Sequence, residues 1–358
     1  MGETKCGVHT EMVSGRRVAE RVVFGGFPLA VLFATIVASI HAGSFAVDFD
    51  SVLPEIRGLA HGTSPYVAGR LVGGGHYLWS IFAGLILSPL AWLPHPLGDG
   101  VFTLVQVVSL GVSLWFLDVR DWRVYGVVLA WPATVNSVQT ANLTLPTCAL
   151  LALAWHERDR GRCGVWVGIA VALKFFAWPT LVWICATRRW KALGWALLVQ
   201  VVGLLVALPY ISLSHYIDFE RGVADAFQRD SLTLQAVLEE HGLSHRLAFE
   251  ITLLLGLVVL ALGRRDLGAC AVAALILTPV AWLHYFDLLL MPLGVWRSAF
   301  WIWLAPLLLV IAPGEGNGAP WQAIGTLSIA AAAVVLGRSF RTVSSAQPDS
   351  AISPVGAA

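Results

Sequence analysis

Apolar runs of roughly 20 residues, the length that carries a helix across about 30 Å of hydrocarbon, recur along most of this 358-residue chain. Lipid offers no hydrogen-bond partners, so a spanning backbone must be helix or closed barrel. The Leu, Val and Ala runs lack the in-and-out alternation of barrel strands. The sequence therefore predicts an all-α, polytopic transmembrane helical bundle. Charged residues amount to 13% of the chain, against about 25% in a soluble domain, too few to coat a soluble surface. A formal net charge of +1 with no basic block argues against nucleic acid as a partner.

Candidate spans fall at 22–43, 76–93, 100–117, 122–135, 143–155, 163–187, 193–211, 247–262, 267–283, 285–298, 299–312 and 321–337. Several are too short to cross alone, so short or re-entrant helices are expected. Arg16, Arg17 and Arg21, then Arg158 to Arg162, Arg188 to Lys191, Arg264 with Arg265, and Arg338 with Arg341 mark cytoplasmic segments by the positive-inside rule. An odd count of spans before Arg158 requires one of them to stay on one side. The 76–93 segment is the choice, because Ser88-Pro89 and Leu93-Pro94-His95-Pro96 interrupt it. Segment 163–187, bracketed by two basic loops, should dip in and return near Trp178-Pro179.

The expected organisation is a cytoplasmic tail over 1–21, a membrane domain over 22–337 and a disordered cytoplasmic tail over 338–358. Two polar loops, about 44–75 and 212–246, face outward and are longer than simple connections require. The first apolar run exceeds the 7 to 15 residues or so of a cleaved signal and should remain as an anchor. Cys6, Cys148, Cys163, Cys185 and Cys270 include no C-x-x-C pair. They read as small apolar fillers, with neither a disulfide framework nor a zinc site expected.

The first outer loop opens VDFDSV, Val47 to Val52. Its D-x-D spelling matches a metal-holding motif, but the Gly-rich strand-to-helix turn of a nucleotide-binding domain is absent. Residues two apart also point about 200° apart on a helix. No metal and no cofactor are expected there. On residue type alone Asp48 and Asp50 also read as solvated loop acids capping the next helix.

The wider string VDFDSVLPEIRGLAHGTSPY, ending Leu59 to Tyr66, is followed in order by Val138-Gln139-Thr140-Ala141-Asn142-Leu143, by Ala172-Leu173-Lys174-Phe175-Phe176-Ala177-Trp178-Pro179, by Asp230-Ser231-Leu232, and by Thr278 to Tyr285. These landmarks, over about residues 45 to 295, resemble glycosyltransferase family 87 of the GT-C superfamily, polyprenyl-phosphate-mannose-dependent mannosyltransferases. His76-Tyr77-Leu78-Trp79 replaces that family's Y-P-P, no glycine precedes Gln139, and Tyr285 replaces one histidine of an H-H pair. These departures bear on sugar and acceptor.

The resemblance implies a multi-pass plasma-membrane enzyme of GT-C type with its active site on the extracytoplasmic side. It would transfer mannose, with inversion, from a polyprenyl-phosphate donor to a hydroxyl of a cell-envelope glycolipid or glycan. Asp48 matches the family's catalytic aspartate and would be the general base. Donor and acceptor candidates are Asp50, Tyr66, Gln139, Asn142, Lys174 and His284, with Arg57, Arg70, Arg221 and Arg229 as further cations and Trp79 and Trp282 as stacking faces. Lys174 lies inside an apolar run, where a charge costs about 2.5 to 3.5 kcal/mol at a helix centre; it either snorkels to the interface or meets the donor phosphate. His284 reads equally as a buried structural histidine, and Gln139 and Asn142 as helix-start residues. Rival readings are transfer of arabinose or glucose, and a transporter or lipid flippase with a midplane site.

Overall fold

The computed structural model describes residues 15–64, 66, 80–227, 231–309 and 324. It is helical, with no strand among the described residues. Among the described residues four helices are long and apolar enough to cross a membrane: α1 (Gly15–Ala42), α4 (His95–Phe116), α10 (Trp190–Ala207) and α13 (His245–Gly263). Between them lie α2 (Val47–Ala60), α3 (Ile81–Leu87, continued as a 3-10 turn to Trp92), α5 (Trp122–Leu129), α6 (Pro132–Thr140), α7 (Thr144–His156), α8 (Cys163–Leu173) and α9 (Pro179–Ala186). After α10 come α11 (Leu213–Phe227), α12 (Leu234–Glu240), α13, α14 (Leu267–Leu277), a 3-10 segment over Leu283–Leu289, α15 (Leu290–Val295) and a 3-10 segment over Phe300–Leu309. The protein is an all-α polytopic membrane protein, as its apolar runs predict.

The short helices have local causes. Expected span 122–135 breaks at Pro132, which opens α6 where its missing N–H costs nothing. Segment 163–187 breaks earlier than Trp178-Pro179, at Lys174, whose extended backbone (φ −139°, ψ 103°) ends α8. Pro179 then begins α9 without disturbing it. Loops 44–75 and 212–246 carry the amphipathic helices α2, α11 and α12. Helix α1 begins at Gly15, inside the expected tail. The expected span 321–337 and the tail from 338 lie outside the described residues, apart from Ile324.

Contacts sort the chain into two ends. At one end Phe24 packs edge-on against Trp122 and Phe300, and Arg297 pairs with Asp118 at 3.1 Å. His156 packs against Phe116 and Arg189 reaches Asp159 at 3.7 Å at the same end. At the other end Ala46 N–H bonds the Gln139 carbonyl at 2.8 Å, the Ser80 hydroxyl bonds the Ala172 carbonyl at 2.5 Å, and Leu232 N–H bonds the Ala281 carbonyl at 2.7 Å. The 81–92 segment starts beside Ala172 and finishes where Arg57 Nε donates to the Ala91 carbonyl at 3.0 Å, so it begins and ends at that second end.

Helices α8 and α10 run parallel: Gly164 lies on Ala192, Gly168 lies on Ala196 and Val199, and Gln200 Nε2 donates to the Gly168 carbonyl at 2.6 Å. The chain therefore returns through α9, which brings both basic loops to the first end, the re-entry expected for 163–187. A Cβ at Gly164 would enter the Ala192 backbone. Gly164→Ala is expected to destabilise the protein by about 1 to 3 kcal/mol through overpacking. Thermal unfolding in detergent checks this, and an unchanged midpoint would contradict so close a helix contact. Cys148, Cys163 and Cys270 are buried fillers, whereas Cys185 is exposed, contrary to its reading as one.

Candidate active site

The second end holds a cavity of about 240 Å³, lined by Asp48, Asn142, Lys174, His284, Trp282 and Tyr285 together with Ser51, Val52, Asn136 and Thr140. Four helix ends meet there. Ala46 starts α2 in the left-handed region (φ 55°), and Ala141 closes α6 in the same region (φ 55°). The bond from Ala46 N–H to the Gln139 carbonyl fastens these two turns together. Asp48 in the first turn of α2 thereby comes within reach of Asn142.

One chain of hydrogen bonds runs through the site. Lys174 Nζ donates to Thr144 Oγ1 at 2.9 Å, Thr144 Oγ1 donates to Asn142 Oδ1 at 3.0 Å, and Asn142 Nδ2 donates to Asp48 Oδ2 at 2.6 Å. Asn142 Oδ1 also accepts the Thr144 backbone N–H at 3.2 Å, which fixes the amide's orientation so that its NH2 must face the carboxylate. The ammonium of Lys174 lies 4.0 Å from the centre of the Tyr285 ring and 5.6 Å from that of Phe176, a cation held by ring faces. Burial pushes the Asp48 carboxyl above its ordinary value, against the opposing pull of the Asn142 bond and the Lys174 charge.

His284 comes from the 3-10 segment and faces the same cavity. Its Nδ1 lies 3.1 Å from Asn136 Oδ1, which makes Nδ1 the protonated nitrogen of a neutral ring, while buried Nε2 has no hydrogen-bond partner. Below it Asp287, fully buried, accepts from Thr134 Oγ1 at 2.8 Å and Ser137 Oγ at 2.5 Å. These bonds lock the 3-10 segment to α6 and so hold His284 and Asn136 in register. The cavity thus presents one carboxylate, one ammonium and one imidazole with an open nitrogen.

Of the residues singled out in the sequence, Asp48, Asn142, Lys174, His284 and Trp282 come together here. Tyr66 does not: it is buried against Tyr216 and Phe219, at 5.0 and 5.3 Å between ring centres, away from the cavity. Gln139 contributes its backbone carbonyl, not its side chain, to the arrangement. Asp50 points to the other side of α2, toward His95 and Asp99, where burial and then the Asp99 charge raise its carboxyl to about 6 against the pull of His95. Arg57 is tied to Ala91, and Arg221 lies exposed beside Asp218 at 4.0 Å. Arg70, Trp79 and Arg229 lie outside the described residues. Sequence reasoning missed Thr144, Asn136 and Asp287; the signal for the last was an acid in the apolar run LHYFDLLL.

Comparison with known proteins places this site in context. The chain is similar to an α-(1→3)-arabinofuranosyltransferase of Mycobacterium tuberculosis, found in strains CDC 1551 / Oshkosh and ATCC 25618 / H37Rv, at 26% identity over 199 residues. That match covers 51% of this chain, which spans about half the length (46%) of these curated relatives. No solved structure matches. The model of glycosyltransferase family 87 matches residues 77–283, more than half of the chain and the stretch that supplies Asn142, Thr144 and Lys174. The chain belongs to glycosyltransferase family 87.

Proposed function

We propose that this protein is a membrane glycosyltransferase that moves mannose from a polyprenyl-phosphate donor to a hydroxyl of a cell-envelope glycolipid or glycan. The observation that carries the reading is the convergence of Asp48, Lys174 and the open His284 Nε2 on one cavity. In the reaction, Asp48 takes the proton of the acceptor hydroxyl as its oxygen attacks the anomeric carbon. The bond from that carbon to the phosphate oxygen breaks on the opposite face, giving inversion. The departing lipid phosphate gathers negative charge, which Lys174 receives directly, while the open Nε2 of neutral His284 accepts from a hydroxyl of the bound sugar or acceptor.

The Asn142 amide holds Asp48 in place, and through Thr144 it couples the position of the base to that of the cation. The basic loops gather at the end of the bundle opposite the cavity, which by the positive-inside rule supports a reaction on the extracytoplasmic side of the plasma membrane. The donor's isoprenoid would enter from lipid between the helices.

A second reading keeps the chemistry and changes the sugar, because the curated relatives are named arabinofuranosyltransferases. Membranes containing the protein, incubated with labelled mannosyl-phosphoryl-polyprenol or its arabinofuranosyl counterpart and cell-envelope lipids, separate the two. Asp48-dependent labelling of a glycolipid from the mannosyl donor alone supports mannose, and labelling from the arabinofuranosyl donor alone transfers the assignment to arabinose. Labelling from neither removes the polyprenyl-phosphate donor from the proposal.

A further inference from the structure

Helix α2 carries a second acidic group on the face turned away from the cavity. Asp50 Oδ1 lies 2.9 Å from His95 Nε2, and His95 Nδ1 lies 3.1 Å from Asp99 Oδ2. His95 and Asp99 sit one turn apart at the start of α4 and so share a helix face. The three groups offer ligand atoms that all lie within 4.8 Å of one another. Metal–ligand bonds of about 2.0 to 2.2 Å, as zinc makes to nitrogen and oxygen, set ligand atoms roughly 3 to 3.6 Å apart, so one imidazole nitrogen and one oxygen of each carboxylate, already gathered within 4.8 Å, need only close slightly around a single ion.

Two carboxylate oxygens of this cluster, one from each acid, are buried without a hydrogen-bond partner. Asp99 is 6% exposed, and its Oδ1 is buried with no hydrogen-bond partner. Asp50 Oδ1 is likewise buried and without an aligned donor, although the imidazole nitrogen lies close by. Two carboxylates brought together with orphaned oxygens cost free energy that a hydrogen bond normally recovers. A divalent cation between them would satisfy both at once. His95, with its side chain 53% exposed, leaves the cluster open to water for entry of the ion and for completing its coordination shell.

We propose that Asp50, His95 and Asp99 form a binding site for a divalent transition-metal ion, zinc or manganese by its mixed imidazole and carboxylate ligands. The ion bolts the first turn of α2 to the start of α4. Phe49 already packs on Phe102 of α4 at 5.1 Å between ring centres, so the metal adds a polar tie beside an apolar one. Because Asp48 lies in the same turn, this tie sets the position of the proposed base from behind without touching the cavity. It is a structural metal, distinct from the D-x-D scheme in which both acids of VDFDSV grip one ion.

Full-length protein carrying a non-histidine affinity tag, purified in detergent and stripped with a chelator, tests the site. After equilibration with ZnCl2 or MnCl2 and desalting, metal content is measured by mass spectrometry and thermal stability by unfolding. The wild type is expected to retain about one equivalent of one of these metals and to melt at a higher temperature with it. His95→Gln, which removes an exposed ligand and spares the core, is expected to weaken retention at least about tenfold and abolish the shift. Asp99→Asn should do the same, and Asp48→Asn should bind metal as the wild type does. Retention of metal by His95→Gln equal to the wild type, or no retained metal in the wild type, overturns the proposal. Stabilisation that follows pH alone and is indifferent to both ions also overturns it, in favour of carboxyls that share a proton.

Discussion

Asp48→Asn is expected to lower the turnover of sugar transfer by about 10²- to 10⁴-fold, the contribution of a positioned general base. The substitution is nearly isosteric. An amide oxygen at that place still accepts from Asn142 Nδ2, which stands 2.6 Å from the carboxylate, so the cavity keeps its shape. What disappears is the capacity to take the acceptor's proton. The loss should therefore fall on kcat, with the affinity for a non-reactive donor analogue changed little, and thermal unfolding should remain close to that of the wild type. Single-turnover measurements with labelled donor check this. Turnover within a few-fold of normal in a well-folded Asp48→Asn protein would falsify the role of Asp48 as base. Asp50→Asn, on the face of α2 away from the cavity, is expected to be milder in rate and to show its effect in stability.

The fold class was legible because length and apolarity alone force a chain in lipid into helices. Finer breaks were legible only in part. Expected span 122–135 ran through Pro132, which in fact opens a new helix, and Pro179 misled in the other direction, because a proline in the first turn of a helix does not end one. The break falls at Lys174, and the force that sets it is tertiary: the lysine leaves α8 to reach Thr144 and the Tyr285 ring.

Within the site, Lys174 and His284 stood out because ionisable groups in apolar runs must have partners. Thr144 did not, since a threonine in ANLTLPT is unremarkable until Asn142 and Lys174 close on it from either side. Tyr66 had the chemistry of a stacking platform, but its ring fills a packed aromatic cluster with Tyr216 and Phe219 instead. The Asp50, His95 and Asp99 cluster was invisible because residues 45 or so apart in sequence meet only when α2 crosses the start of α4.

Lys174→Met is the sharper test of how the site works, because stability and activity are expected to move independently. Methionine follows the path of the lysine stem and is at home among Phe176, Tyr285 and the α8 end, so the resting protein loses no packing. It also no longer carries a charge that costs about 2.5 to 3.5 kcal/mol in apolar surroundings when uncompensated. Against this, Thr144 loses a donor but keeps its own bond to Asn142. The melting temperature should be equal to or above that of the wild type. Transfer should nonetheless fall by about 10²- to 10³-fold, as when one preorganised group facing developing charge is removed. Lys174→Arg should not restore it, since a planar fork does not fit a point-charge site between two ring faces. A lysine kept only to snorkel or to brace the fold predicts the reverse pattern, with a lower melting temperature and near-normal transfer. A Lys174→Met protein that melts early and transfers normally would place the phosphate contact elsewhere than at this lysine.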